Sequence, residues 1–170
     1  MKLRKPLIIT AIALTSLFAG GATPASADDT VTTFTLNVGL LTLSVEPTAA
    51  LTDGASGDTT INGSLGAVSV TDERGGTAVW TVSASSSAFT GVLGSSSTVV
   101  TYTAGAVTET GTITVLDGTA TDITGAPAAV VSPSALSGNN TASWVPDLDV
   151  TMPPGALADD YTGTITTSVA

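Results

Sequence analysis

The chain has 170 residues, with 14 Asp and Glu against 4 Lys and Arg, and neither His nor Cys. That composition excludes a Ser/His/Asp triad, a thiolate nucleophile, a disulfide framework and the ordinary zinc and haem ligand sets. The length suits one domain, for which roughly 100–200 residues are typical.

Residues 1–27 read as a secretory signal peptide. Lys2, Arg4 and Lys5 give a basic start, Leu7 to Ala19 an apolar stretch, and Ala25-Ser26-Ala27 a small-residue cleavage site before Asp28. The apolar stretch falls short of the about 20 residues a membrane helix needs, so no membrane span is expected after cleavage. Cleavage removes three of the four basic residues and no acidic one, leaving Arg74 as the sole cation of residues 28–170 and a side-chain charge of −13. Nucleic acid and anionic lipid are thereby excluded as partners of a basic patch, because phosphate contacts need several Lys or Arg. With no Lys after residue 5, Schiff-base, Ser/Lys and P-loop chemistry go too. The chain ends on Thr167-Ser168-Val169-Ala170 with neither a hydrophobic tail nor an LPxTG-type sorting signal, which predicts that any attachment to a cell is non-covalent.

Residues 28–170 form the predicted domain. Thr and Ser supply 45 of its 143 residues, and no window carries a sustained i, i+3, i+4 apolar stripe. Short alternating runs between Gly, Pro, Asn and Asp predict an all-β fold, an antiparallel Ig-like β-sandwich of about seven to nine strands. In chain order, the apolar residues from Phe34 to Leu40 are even-numbered, whereas Leu41, Leu43 and Val45 are odd. A period of two cannot change phase without an extra residue, so a bulge or strand break is expected near Gly39 to Leu41. Asn62-Gly63 reads as a hairpin turn. Leu65 to Val70 makes a strand, Asp72-Glu73-Arg74-Gly75-Gly76 a turn, and Ala78, Trp80, Val82 and Ala84 share one strand face. Val99–Thr103 and Thr110–Leu116 follow as a pair around Gly105. Gly118 to Asn140, with Pro127 and Pro133, reads as loops with one weak strand. Trp144, Pro146, Leu148, Val150 and Met152 then alternate with polar residues, and Pro146 places that strand at an edge or makes it start late. The last strand runs from Tyr161 to Val169 after the Pro153-Pro154-Gly155 turn.

Three segments resemble the WxL domain of Gram-positive cell-surface proteins, in particular its smaller secreted actinobacterial forms. Val68-Ser69-Val70-Thr71-Asp72-Glu73-Arg74-Gly75 looks like that family's strand and Asp-x-Arg-Gly turn. Trp80-Thr81-Val82 stands where the first Trp-x-Leu belongs, with Val for Leu. The closing Tyr161 to Val169 run is similar in spacing to the family's Tyr-x-x-x-Leu-Thr-Trp-x-Leu, with Thr167 in place of the second Trp. The resemblance implies a secreted, non-enzymatic protein associated non-covalently with the Gram-positive cell wall, with peptidoglycan as ligand. Charge opposes it, since a chain at −13 meets wall carboxylates and phosphates as like charges, screened over about 8–10 Å. Contacts through aromatics and hydroxyls, or divalent cations bridging the acidic surface to the wall, would meet that objection.

The candidate ligand-binding residues are Trp80, Trp144, Tyr161, Arg74 and Asp72, and each has a structural alternative. Both Trp residues suit a sugar face, yet their parity with Val82 and with Leu148 also fits a core. Tyr161 fits a corner tyrosine bonded to backbone. Arg74 either anchors a ligand carboxylate or pairs with Asp72 and Glu73 to hold the turn. Asp147/Asp149, Asp159/Asp160 and Asp53/Asp58 are the paired acids. They read as solvated surface, because glycosidase chemistry needs two carboxyls about 5–10 Å apart in a cleft and the sequence suggests none. The Asp53–Asp58 loop departs from the calcium-loop pattern, so no metal or cofactor is expected. The Thr-x-Thr pairs lack the fixed repeat of an ice-binding array. Two functions remain: wall-polymer binding, with other surface proteins as further partners, and a structural subunit assembling by strand addition with itself, as a homo-oligomer, or with related surface proteins, with Phe34–Val45 as donor.

Overall fold

The computed structural model describes residues 30–170, and the signal-peptide reading of residues 1–27 lies outside them. The chain divides into two units, Met1–Leu36 and Asn37–Ala170, and the described part of the first, residues 30–36, has no regular secondary structure. The second unit is all-β. Its strands are β1 (Leu41–Val45), β2 (Thr60–Ser64), β3 (Val68–Asp72), β4 (Val82–Ser86), β5 (Val99–Thr103), β6 (Thr108–Val115), β7 (Thr121–Asp122), β8 (Ala128–Val131), β9 (Pro133–Trp144), β10 (Asp147–Thr151) and β11 (Ile165–Val169).

These strands form three antiparallel sheets, ordered β1-β3-β9-β6, β2-β10-β5-β7 and β11-β4-β8. The second and third run into one another, because Ser86 N donates to Ile123 O at 2.7 Å and Gly125 N to Ser86 O at 2.9 Å. Period-two alternation explains the packing. Val68, Val70 and Asp72 of β3 are buried, as are Val82, Ala84 and Ser86 of β4 and Leu148 and Val150 of β10, while their neighbours are half-buried or exposed. One apolar cluster joins all three sheets, with Trp80, Tyr102, Ile123 and Leu148 among its largest fully buried side chains. The arrangement is consistent with a β-sandwich.

The break expected near Gly39 to Leu41 is where β1 begins, and residues 30–40 form no strand. Pro146 precedes β10, so that strand starts late, although it lies centrally between β2 and β5. Two expectations are corrected. Gly118 to Asn140 is not mainly loop: it contributes β7, β8 and most of the 12-residue β9. Pro133 stands at the first position of β9, where its missing N–H costs nothing, and a bulge lets Gly138 and Asn139 pass while β6 pairs on either side of them. Asn62-Gly63 is no turn, but lies within β2 opposite Asp149 and Leu148 of β10. Glycine is required there by close approach, since a Cβ on Gly63 would lie 2.9 Å from the Leu51 Cα.

Candidate functional site

The five candidate residues divide among three places. Asp72 ends β3 on the buried face, and Gly75 and Gly76, both with positive φ, turn the chain after it. The Arg74 side chain folds back on Asp72. Its Nε donates to Asp72 Oδ1 and its Nη2 to Oδ2, each at 2.9 Å, the Arg74 backbone N–H adds a bond of 3.0 Å to Oδ1, and Nη2 also reaches Ala78 O at 3.1 Å. This bidentate clamp holds the Asp72 carboxyl below its ordinary value, through the Arg74 side-chain hydrogen bonds first, with burial opposing. Glu73 takes no part in that ion pair and is exposed. Arg74 is thus committed to the turn.

Trp80 and Trp144 are 1% and 3% exposed, so neither indole presents a face to a ligand. Trp144 Nε1 donates to Tyr102 Oη at 2.8 Å inside the core, and burial pushes the Tyr102 phenol above its ordinary value against that bond. Trp80 Nε1 is buried without a hydrogen-bond partner among the described residues. Tyr161 is half-buried and donates from Oη to Leu157 O at 2.6 Å, the backbone bond of a corner tyrosine.

Tyr161 stands beside a groove that sequence reasoning missed. The groove encloses about 560 Å³ between residues 49–58 and 156–163, with Phe89, Val150 and Met152 in its lining. Gly163 lies so close under Phe89 that a Cβ would come within 2.8 Å of the ring, which seats the ring against the strand leading to β11. Two carboxylates hold the walls. Asp58 Oδ2 accepts from Ala55 N at 2.7 Å, and Asp159 accepts from Leu93 N at 2.7 Å and from Asp160 N at 2.9 Å. Among the described residues the side chains of Asp53 and Asp160 accept no such bond, and the lining carries no cation. The expectation that no cleft exists near the paired acids is therefore corrected for Asp53/Asp58 and Asp159/Asp160. Asp147 is exposed and Asp149 half-buried on the polar face of β10, outside the groove. No local pattern marks the groove, because its two walls are about a hundred residues apart in sequence.

Among the described residues no group of three or more His, Cys, Asp or Glu is placed to hold a metal ion, and no helix is long and apolar enough to cross a membrane. Comparison of the chain with protein-family models, curated proteins and solved structures gives no match.

Proposed function

We propose that this chain is a secreted, non-enzymatic protein that associates non-covalently with the Gram-positive cell wall, and that it does so by receiving peptidoglycan in the groove beside Tyr161. The observation that carries the reading is the groove's chemistry: aromatic and aliphatic surface from Phe89, Tyr161 and Leu157, rimmed by the carboxylates of Asp53 and Asp160, which accept no hydrogen bond among the described residues. Pyranose rings offer an apolar face to such surface and hydroxyls that donate to carboxylates, while the free amines of wall peptides supply the opposite charge. The groove thereby meets the electrostatic objection, because an acidic site draws the donor and cationic groups of the wall rather than its phosphates.

The test is sedimentation of the secreted chain with insoluble peptidoglycan at low and high salt. Asp53→Asn with Asp160→Asn lowers the bound fraction severalfold, whereas Asp147→Asn with Asp149→Asn on the polar face of β10 leaves it unchanged. Absence of wild-type binding, or equal losses from both double variants, overturns the proposal.

A further inference from the structure

The groove beside Tyr161 is lopsided in its hydrogen-bonding chemistry. Among the described residues its lining carries four carboxylates, Asp53 and Asp58 on one wall and Asp159 and Asp160 on the other, but no Lys, Arg, Asn, Gln or Trp. Its free side-chain donors are the hydroxyls of Thr52, Ser56 and Thr162, since the Tyr161 hydroxyl is spent on Leu157 O. Asp58 and Asp159 are engaged by backbone N–H groups, which leaves Asp53 and Asp160 for a ligand. Beside these acids lies apolar surface from the half-buried rings of Phe89 and Tyr161 and from Leu157, which is 51% exposed.

That composition selects among the groups a wall polymer offers. A ligand carboxylate only accepts, and an acetamide or hydroxyl needs a donor as well as an acceptor. With no amide or charged donor in the lining, such groups give up bonds to water that the groove's side chains barely replace. An ammonium only donates, from a compact charge, and so needs only acceptors. Carried on a chain of methylenes, it suits both parts of the groove. The chain lies against the rings while the charged head meets the carboxylates of the rim, as a lysine side chain covers apolar surface and keeps its charge at the edge. A cleft lined by one sign of charge also concentrates ions of the other.

We propose that the group read by the groove is a free primary amine on an aliphatic side chain, so that the protein recognises wall whose peptide stems are not cross-linked. The inference rests on the groove being the wall-binding site. In a cross-linked stem that nitrogen is acylated, and the amide keeps one of the ammonium's three N–H donors and none of its charge. Cross-linking therefore removes the feature that Asp53 and Asp160 answer, while the glycan stays as it was.

The test compares insoluble peptidoglycan before and after acetylation of its free amines, which makes the amide of a cross-link without altering the glycan. The secreted chain is expected to sediment severalfold less with the acetylated wall. Asp53→Asn with Asp160→Asn, already weakened, is expected to lose nothing further. NMR titration of the isotope-labelled chain supplies a minimal ligand. Nα-acetyl-lysine amide is expected to shift the signals of Asp53, Asp160 and Tyr161 saturably. Its Nε-acetylated form, and methylammonium, which has the charge without the chain, are expected to shift them severalfold less at equal concentration. Equal sedimentation with both walls, while the double variant still binds less than the parent, overturns this inference and leaves the groove as the wall site. Absence of sedimentation with either wall overturns both. Equal shifts from the amine and its acetylated form, or from methylammonium, overturn the inference as well.

Discussion

The buried bond between Trp144 and Tyr102 offers the sharpest test of how this core is held. Trp144 closes β9, Tyr102 lies in β5, and their 2.8 Å bond crosses between two sheets with both residues at most 3% exposed. Tyr102→Phe removes one oxygen and leaves the indole N–H buried without a partner. The cost is about 1–3 kcal/mol, because the penalty of an unmade buried bond exceeds the net worth of a made one. For a domain of this size 2 kcal/mol lowers Tm by roughly 6–8 °C. Trp144→Phe strands the Tyr102 hydroxyl in the same way and also opens space, whereas the double variant leaves no polar atom unpaired. The two losses should therefore overlap by about 1–2 kcal/mol in a double-mutant cycle. Urea unfolding followed by far-UV circular dichroism measures all four proteins without depending on a tryptophan signal. Alkaline titration gives an independent reading. Burial raises the Tyr102 value, so its stabilisation is complete below the unfolded value near 10 and is lost as pH rises through the folded one. Tyr102→Phe should flatten that alkaline decline. Strict additivity, or a Tyr102→Phe variant within about 0.5 kcal/mol of the parent, would falsify the claim that the bond is formed and dry.

Other expectations follow from single contacts. Because both indoles are buried, tryptophan emission should be blue-shifted, resistant to iodide, and unmoved by saturating peptidoglycan fragments; a shift on adding fragments would show that an indole meets the ligand. Asp72 is held below its ordinary value, so its stabilisation is present above the unfolded value near 3.8 and is lost as pH falls through the folded one. Arg74→Ala should move acid unfolding to higher pH while leaving wall sedimentation intact, and loss of sedimentation in a folded variant would assign Arg74 to the ligand. Gly63→Ala should destabilise by about 1–3 kcal/mol in urea titration, since the new Cβ meets Leu51 backbone that cannot swing away. Tyr161→Phe should cost about 1 kcal/mol through loss of the Leu157 bond yet keep wall sedimentation, because the ring that lines the groove remains.

Alternation made the all-β class legible wherever one strand face is buried and the other wet. β3, β4 and β10 are of that kind, and so was the phase slip ahead of Leu41, because a period of two cannot hide an added residue. β9 escaped because its inward positions are not uniformly apolar. Leu136, Asn140, Ala142 and Trp144 keep one parity through the two-residue bulge at Gly138 and Asn139, but a polar Asn and glycine among them read as loop. Asn62-Gly63 misled for a related reason. Glycine serves tight turns and close backbone approach alike, and a single sequence cannot tell which applies before Leu51 is known to lie against it. The Asp72–Arg74 pair was one of two readings the turn offered, and Glu73, which the sequence also named as a partner, stays outside it. The groove was invisible, as sites assembled from distant loops are, and its carboxylates read as ordinary acidic surface until the fold placed 49–58 beside 156–163.

The distribution of side chains decides how strongly this surface can bind. Both tryptophans and Tyr102 are sealed in the core, and Arg74, the sole arginine of residues 28–170, is bound to Asp72, so the residues that usually anchor tight interfaces are unavailable to a partner. What the described surface presents instead is carboxylates, hydroxyls, the partly open rings of Phe89 and Tyr161, and unpaired strand edges. A groove of that composition gives a weak single contact, since hydroxyl and carboxylate groups exchange their bonds with water at little net gain. Wall retention through such a groove should then be reversible and depend on Asp53 and Asp160. Asp53→Asn with Asp160→Asn is expected to weaken binding of a short soluble peptidoglycan fragment and of the insoluble wall by the same severalfold factor, because each contact fills one groove at a time. A loss confined to the insoluble polymer would show that a second surface shares in adhesion.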